Sequence, residues 1–212
     1  MTTFPVAPLF SRRTPASLFT AGLLLSIAWA ASAGAALITF AELPNQPADG
    51  VSLQGAAFHF TIGGVPSTDA QFNSVALGSN TTLNLQTSTL EGNANGELTI
   101  DFAQPISLLS FNLARLTGLT TTGATVSLFD SALAGFASTS VTIAKVVTYS
   151  EAFYSYTGST PVKRAVVNFN AGAGPRFAID NLAFTPVPEP GTMLVGVLLT
   201  GVCGCARQRR RV

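Results

Sequence analysis

A single histidine, His59, is flanked by Phe58 and Phe60. In a strand, that alternation turns the imidazole outward. No G-x-S-x-G, H-E-x-x-H or Cys–His arrangement gives it a nucleophile or a metal to work with. Glu97 and Asp101 share the polar side of one alternating run. Four residues of strand separate them by about 13 Å, whereas a glycosidase pair stands about 5–5.5 or 6.5–9.5 Å apart. A glycoside hydrolase would therefore need a further acid from elsewhere, and it is the weakest of the readings. Tyr149, Phe153, Tyr154 and Tyr156 cluster in a polar segment. Rings beside polar groups can stack on sugars, which makes Tyr154 and Tyr156 the candidate carbohydrate contacts. The commoner role of such a cluster is to close a strand edge or cap a core. The sequence reads as a non-enzymatic protein, with a carbohydrate-binding module as the alternative.

The elements that must hold these residues are strands. Period-two alternation recurs along the middle of the chain: Phe58, Phe60 and Ile62; Leu98, Ile100 and Phe102; Leu109, Phe111 and Leu113; Val126 and Leu128; Ala165, Val167 and Phe169. Each run has one apolar and one mostly polar side, as half-buried antiparallel strands require. Glycine signals divide the runs, at Gly63-Gly64, Gly92 to Gly96, Thr117-Gly118, Gly123, Gly158 and Gly172 to Pro175. About nine or ten strands are expected on this pattern, which favours a two-sheet sandwich over a small barrel. Near the end, Phe177 and Ile179 share one phase and Leu182 and Phe184 the other. The slip predicts a bulge or bend at Asp180-Asn181.

Charged residues make up 10% of the chain and apolar ones 47%, a balance that suits an exported β-rich domain and excludes disorder. Between Leu37 and Thr185, five basic side chains face nine acidic ones, a net charge of −4. That sign leaves no electrostatic footprint for nucleic acid. Both cysteines, Cys203 and Cys205, lie in the C-terminal apolar segment, so no disulfide framework supports the domain.

The remaining basic residues gather at the ends. Arg12 and Arg13 precede an apolar run and then Ala31-Ser32-Ala33-Gly34-Ala35-Ala36, the pattern of a signal peptide cleaved after Ala33 or Ala35 by way of the secretory translocon. At the other end, Val187-Pro188-Glu189-Pro190 leads into sixteen uncharged residues, 191–206, and then Arg207, Arg209, Arg210 and Arg211 within the last six residues. The arginines are expected to stay in the cytoplasm, which places the β domain across the membrane. A sixteen-residue helix is about 24 Å long, short of the roughly 30 Å hydrocarbon core, and suits a temporary anchor. The division read from the sequence is therefore 1–35 signal peptide, 36–185 β domain and 186–212 tail.

Pro-Glu-Pro, a short apolar segment and a terminal arginine cluster, in that order, resemble the PEP-CTERM sorting signal. The resemblance implies recognition of Val187 to Pro190 by an exosortase, and delivery to the surface or exopolysaccharide matrix of a Gram-negative bacterium. The domain also resembles others that carry this tail, in Ile38-Thr39-Phe40, in Gly55 to Phe58, in Gly96 to Phe102 and in Ile179 to Phe184. Those domains are similar to jelly-roll, galactose-binding-like sandwiches, so the fold class expected is an all-β, jelly-roll-like antiparallel β-sandwich. Such jelly rolls often tie their first and last strands with a structural calcium ion. Glu42 and Asp180 are the two carboxylates placed to contribute, if the ends of the domain meet.

Overall fold

The computed structural model describes residues 34–74, 85, 88–146 and 149–188. Among them are twelve strands: β1 (Ala36–Ile38), β2 (Gln46–Pro47), β3 (Ser52–Leu53), β4 (Ala56–Ile62), β5 (Val65–Pro66), β6 (Gln71–Ser74), β7 (Thr89–Asn93), β8 (Gly96–Arg115), β9 (Thr121–Phe129), β10 (Gly135–Lys145), β11 (Ser150–Phe169) and β12 (Arg176–Pro186). All their pairings are antiparallel. One 3-10 turn, Ala171–Ala173, is the only helical element of the described residues.

Two of the strands are each twenty residues long, and they knit the layers together. The first part of β8 pairs with β4 and the last part with β12. Burial stops alternating at Ala103–Pro105, where the proline has no N–H to give to a ladder. The alternating runs 98–102 and 109–113 are thus two halves of one bent strand. β11 behaves in the same way. Its residues 150–157 pair with β8, its residues 164–169 pair with β9, and the register slips between Thr157 and Val162. Gly158, read from the sequence as a turn, is a strand irregularity, and Gly123 lies within β9.

One layer runs β10, β9, β11, β8 and β4, with β3 and β5 on the outer edge of β4. The other runs from β11 and β8 to β12, and on through β7 and β6 to β2. Rings from the two layers meet between them. Phe60 of β4 lies 5.7 Å from Phe177 of β12. Phe58 lies 5.2 Å from Phe72 of β6. Phe169 stacks on Phe177 at 3.6 Å. The core that these rings fill makes the architecture the antiparallel sandwich expected from the alternation. Each phenylalanine buried in it contributes on the order of 1.5–3 kcal/mol.

The slip in the last strand is present. The register between β12 and β8 shifts between Asp180 and Ala183, and Asn181 takes φ 53°, a left-handed conformation that asparagine tolerates better than most residues. The bulge has a topological consequence: the outer edge of β12 pairs with β7 at Arg176 to Ile179 and with β1 at Leu182 to Phe184.

Candidate functional site

On the outer side of the first layer, the side chains that alternate away from the core fall into three cross-strand rows. The first runs Ala57, Asp101, Arg164, Phe129. The second runs His59, Thr99, Val166, Ser127, Ser138. The third runs Thr61, Glu97, Asn168, Thr125, Ser140. None of these residues is buried, because the core partners Phe58, Phe60, Leu98, Ile100, Ala165, Val167, Val126 and Leu128 take the opposite phase. The result is a polar platform with hydroxyls and amides along its length and Val166 at its centre.

The charged residues of the platform are held in place. Arg164 grips Asp101 through both of its forks, Nε to Oδ1 at 2.7 Å and Nη2 to Oδ2 at 2.9 Å. The hydrogen bond to Asp101 pushes the Arg164 pKa further above arginine's ordinary value. Glu97 accepts from Asn168 Nδ2 at 3.2 Å. His59 Nδ1 lies 3.6 Å from Asp49 Oδ1, an oxygen that also accepts from the Phe60 amide. Ser127 and Ser138 face each other across the strands with their hydroxyl oxygens 3.3 Å apart.

A cleft opens at each end of the platform. The larger, of about 430 Å³, is lined by Ser52, Gly55, Asp101, Leu133, Lys163 and Arg164 among others. Its rim is set by the turn after β9. There Asp130 Oδ1 accepts from the Ala132 and Ala134 amides at 2.9 and 3.0 Å, and Leu133 adopts φ 57° and stands half-exposed. Lys163 donates to the Ala103 carbonyl at 2.8 Å. The smaller cleft, of about 280 Å³, is lined by Thr61, Gly63, Gly64, Asn95, Glu97 and Asn168 among others. The tight turn from β4 to β5 requires φ +61° and +80° at Gly63 and Gly64, and it leaves the backbone bare of side chains there.

The residues expected to contact sugar lie elsewhere. Tyr154 is 6% exposed, and its ring packs 5.1 Å from that of Phe111. Burial, and then the neighbouring Tyr156, push its pKa up to about 12. A ring so enclosed offers no stacking face, because Tyr154 shares its strand phase with the core. Tyr156 is half-buried, with its ring 5.9 Å from Phe136 and its hydroxyl donated to the Thr160 carbonyl at 2.7 Å. Phe153 takes the opposite phase and is 64% exposed, on the second layer. The aromatic cluster is thus divided between core and surface by period two.

The first and last strands are neighbours, as the calcium expectation required. Glu42 accepts from the Thr39 amide and hydroxyl at 2.8 and 3.0 Å. Asp180 is fully buried and accepts from the Asn181 amide at 2.6 Å. Among the described residues, no group of three or more His, Cys, Asp or Glu side chains is arranged to hold a metal ion. Of the expected cleavage sites, Ala35 is exposed just ahead of β1, and Ala33 is outside the described residues. Of the sorting motif, Val187 is tied to the domain by its amide, which donates to the Pro105 carbonyl at 2.8 Å, and Pro188 is exposed. Glu189, Pro190, segment 191–206, Arg207, Arg209, Arg210 and Arg211 lie outside the described residues. No helix among the described residues is long and apolar enough to cross a membrane.

Reading the sequence for rings missed the platform. Its signal was present in the polar phase of the alternating runs, where Glu97, Thr99 and Asp101 are opposed by Arg164 and Asn168. What was missing was the register that sets them side by side.

No protein-family model and no curated protein matches the chain. Among solved structures, it is similar to the enzymatically active domain of bacteriophage CBA120 tailspike protein 4, at 15% identity over 63% of this chain and TM-score 0.38. The match spans about a fifth of that tailspike chain, 20%. It is similar to the K2 cleaved adhesin domain of Lys-gingipain, at 8% identity over 73% of this chain and 99% of that one, TM-score 0.42. It is also similar to a Streptococcus pneumoniae fucose binding module, at 13% identity over 71% of this chain and 96% of that one, TM-score 0.35. With identities of 15% or less and TM-scores below 0.5, these likenesses carry no argument about what this chain binds.

Proposed function

We propose that this chain is an exported, non-enzymatic carbohydrate-binding protein of the bacterial surface, which meets exopolysaccharide through the outer platform of β4, β8, β11, β9 and β10. The supporting observation is the set of three polar rows with a cleft at each end. A polyol is recognised by many fixed hydrogen-bonding groups at modest cost in ordering, and here the rows are anchored on paired strands. The central Val166 suits the apolar face of a sugar ring. The jelly-roll, galactose-binding-like assignment of the sandwich belongs to the same proposal, supported by the pairing of the first and last strands.

The non-enzymatic reading rests on how the carboxylates are used. Asp101 is committed to Arg164 in a two-pronged ion pair and Glu97 accepts from an amide. General acid–base work needs a carboxyl group free to exchange its proton with substrate. Sorting through Val187, Pro188, Glu189 and Pro190 by an exosortase is part of the same proposal. The Val187 amide is held by the domain, so the first residue of the motif is anchored on the sandwich.

The test is affinity electrophoresis of the full chain in purified exopolysaccharide, with Thr99→Ala/Asn168→Ala against the parent. Retardation of the parent and about tenfold weaker retardation of the variant are expected, on the order of 0.5–1.5 kcal/mol for each lost hydrogen bond. Equal retardation of both would overturn the platform as the site. Turnover of a glycoside panel would overturn the non-enzymatic reading.

A further inference from the structure

The two clefts differ in charge, and the difference specifies a ligand. The larger contains Lys163, Arg164 and Asp101, a net +1 in a domain of net −4. Asp101 neutralises Arg164, which leaves Lys163 as the uncompensated cation. Its Nζ makes one hydrogen bond, to the Ala103 carbonyl. Among the described residues, no carboxylate lies within salt-bridge distance of it. An ammonium has three donors, so two remain; the guanidinium of Arg164 still has the N–H groups of Nη1 to offer. Both side chains line the same half-open cleft, whose rim carries the half-exposed Leu133.

The smaller cleft has the opposite character. Glu97 is its one charged side chain, and it is flanked by the amides of Asn95 and Asn168. A negatively charged substituent would meet like charge there. Between the clefts, Thr99, Val166 and Ser127 carry no charge. The rows of Asp101 and Glu97 lie four residues apart on β8, about 13 Å. That is a span for several sugar units rather than one.

Building on the carbohydrate-binding reading, we propose that the larger cleft is a subsite for the carboxylate of an acidic sugar, and that the smaller cleft takes a neutral sugar further along the same chain. The ligand class is then an acidic polysaccharide in which uronic-acid residues are spaced by neutral ones. The polarity of the two ends fixes the direction in which the glycan lies along β8 and β11. The hydroxyl and amide rows favour a polyol over an acidic peptide, and binding of polyglutamate in place of glycan would count against the proposal.

Affinity electrophoresis of the full chain tests this with three probes: hyaluronan, whose uronic acids alternate with neutral sugars, the same polymer after reduction of its carboxylates, and polygalacturonate, which is acidic throughout. Hyaluronan is expected to bind about tenfold more tightly than its reduced form, the scale of one charge-assisted hydrogen bond. Lys163→Gln should remove that advantage and leave the reduced polymer unaffected. Glu97→Gln should strengthen binding of polygalacturonate by severalfold, because it lifts the repulsion at the far end. Equal binding of native and reduced hyaluronan, or an unchanged Lys163→Gln variant, would overturn the carboxylate subsite and leave carbohydrate binding standing. Binding to none of the three, by a protein that also ignores purified exopolysaccharide, would overturn both.

Discussion

Among the described residues, Arg115 has the largest of the fully buried side chains. Its guanidinium donates to four backbone carbonyls: Nε to Arg176 at 3.2 Å, Nη1 to Gly123 at 2.6 Å, and Nη2 to Asn170 and Gly174 at 2.7 and 2.6 Å. Burial lowers its pKa from arginine's ordinary value to about 10, which still leaves it charged at neutral pH. One planar fork thus ties the end of β8 to β9 and to the loop around the 3-10 turn. Arg115→Met keeps the bulk but removes four charge-assisted hydrogen bonds, and it is expected to lower stability by about 3–5 kcal/mol, read as an earlier urea midpoint. Tyr154 makes a second, pH-dependent contribution. Its folded pKa of about 12 lies above the ordinary 10, so its share of stability is complete below pH 10 and is lost as pH rises toward 12. Thermal melts across that window should fall with pH, and Tyr154→Phe should flatten the fall.

At the scale of elements, close approach decides more than propensity. Gly96 opens β8 directly under the Phe60 ring, and a Cβ there would fall inside the ring's van der Waals envelope. The neighbouring register, Ile62 with Gly96 and Phe60 with Leu98, leaves the ring little room to move away. Gly96→Ala should therefore cost about 1–3 kcal/mol, as overpacking does, and the loss would be measured by chemical denaturation. It should also loosen the turn between β7 and β8, which supplies Asn95 to the smaller cleft. The bulge at Asp180-Asn181 acts at the same scale, by letting one edge of β12 serve both β7 and β1.

At the scale of the whole molecule, the ends and the platform have separate duties. The hydrogen bond from Val187 to Pro105 anchors the first residue of the sorting motif on the sandwich. Sorting at Pro-Glu-Pro should leave a mature protein that lacks Arg207 to Val212, which mass spectrometry of the surface-released form would show. A mature C-terminus that retains the arginines would defeat that processing. The platform should be untouched by the cut, and glycan binding by the released form should match that of the precursor.

Much was legible in the residues alone. Apolar and polar side chains alternated two by two, and that dictated strands with one wet side, because successive Cβ atoms point to opposite faces. The phase slip at Asp180-Asn181 marked the bulge for the same reason. Pairing across the chain was not readable. Whether a strand ends at a glycine or bends through it depends on what packs beside it, and so β8 and β11 ran on where separate strands were expected. The site itself was decided by register: Asp101 meets Arg164 across 63 residues of sequence, and only the stacking of the two layers sets which side of each strand faces water. Tyr154 went into the core and Asn168 to the surface because burial of aromatic area outweighs any local preference of the segment.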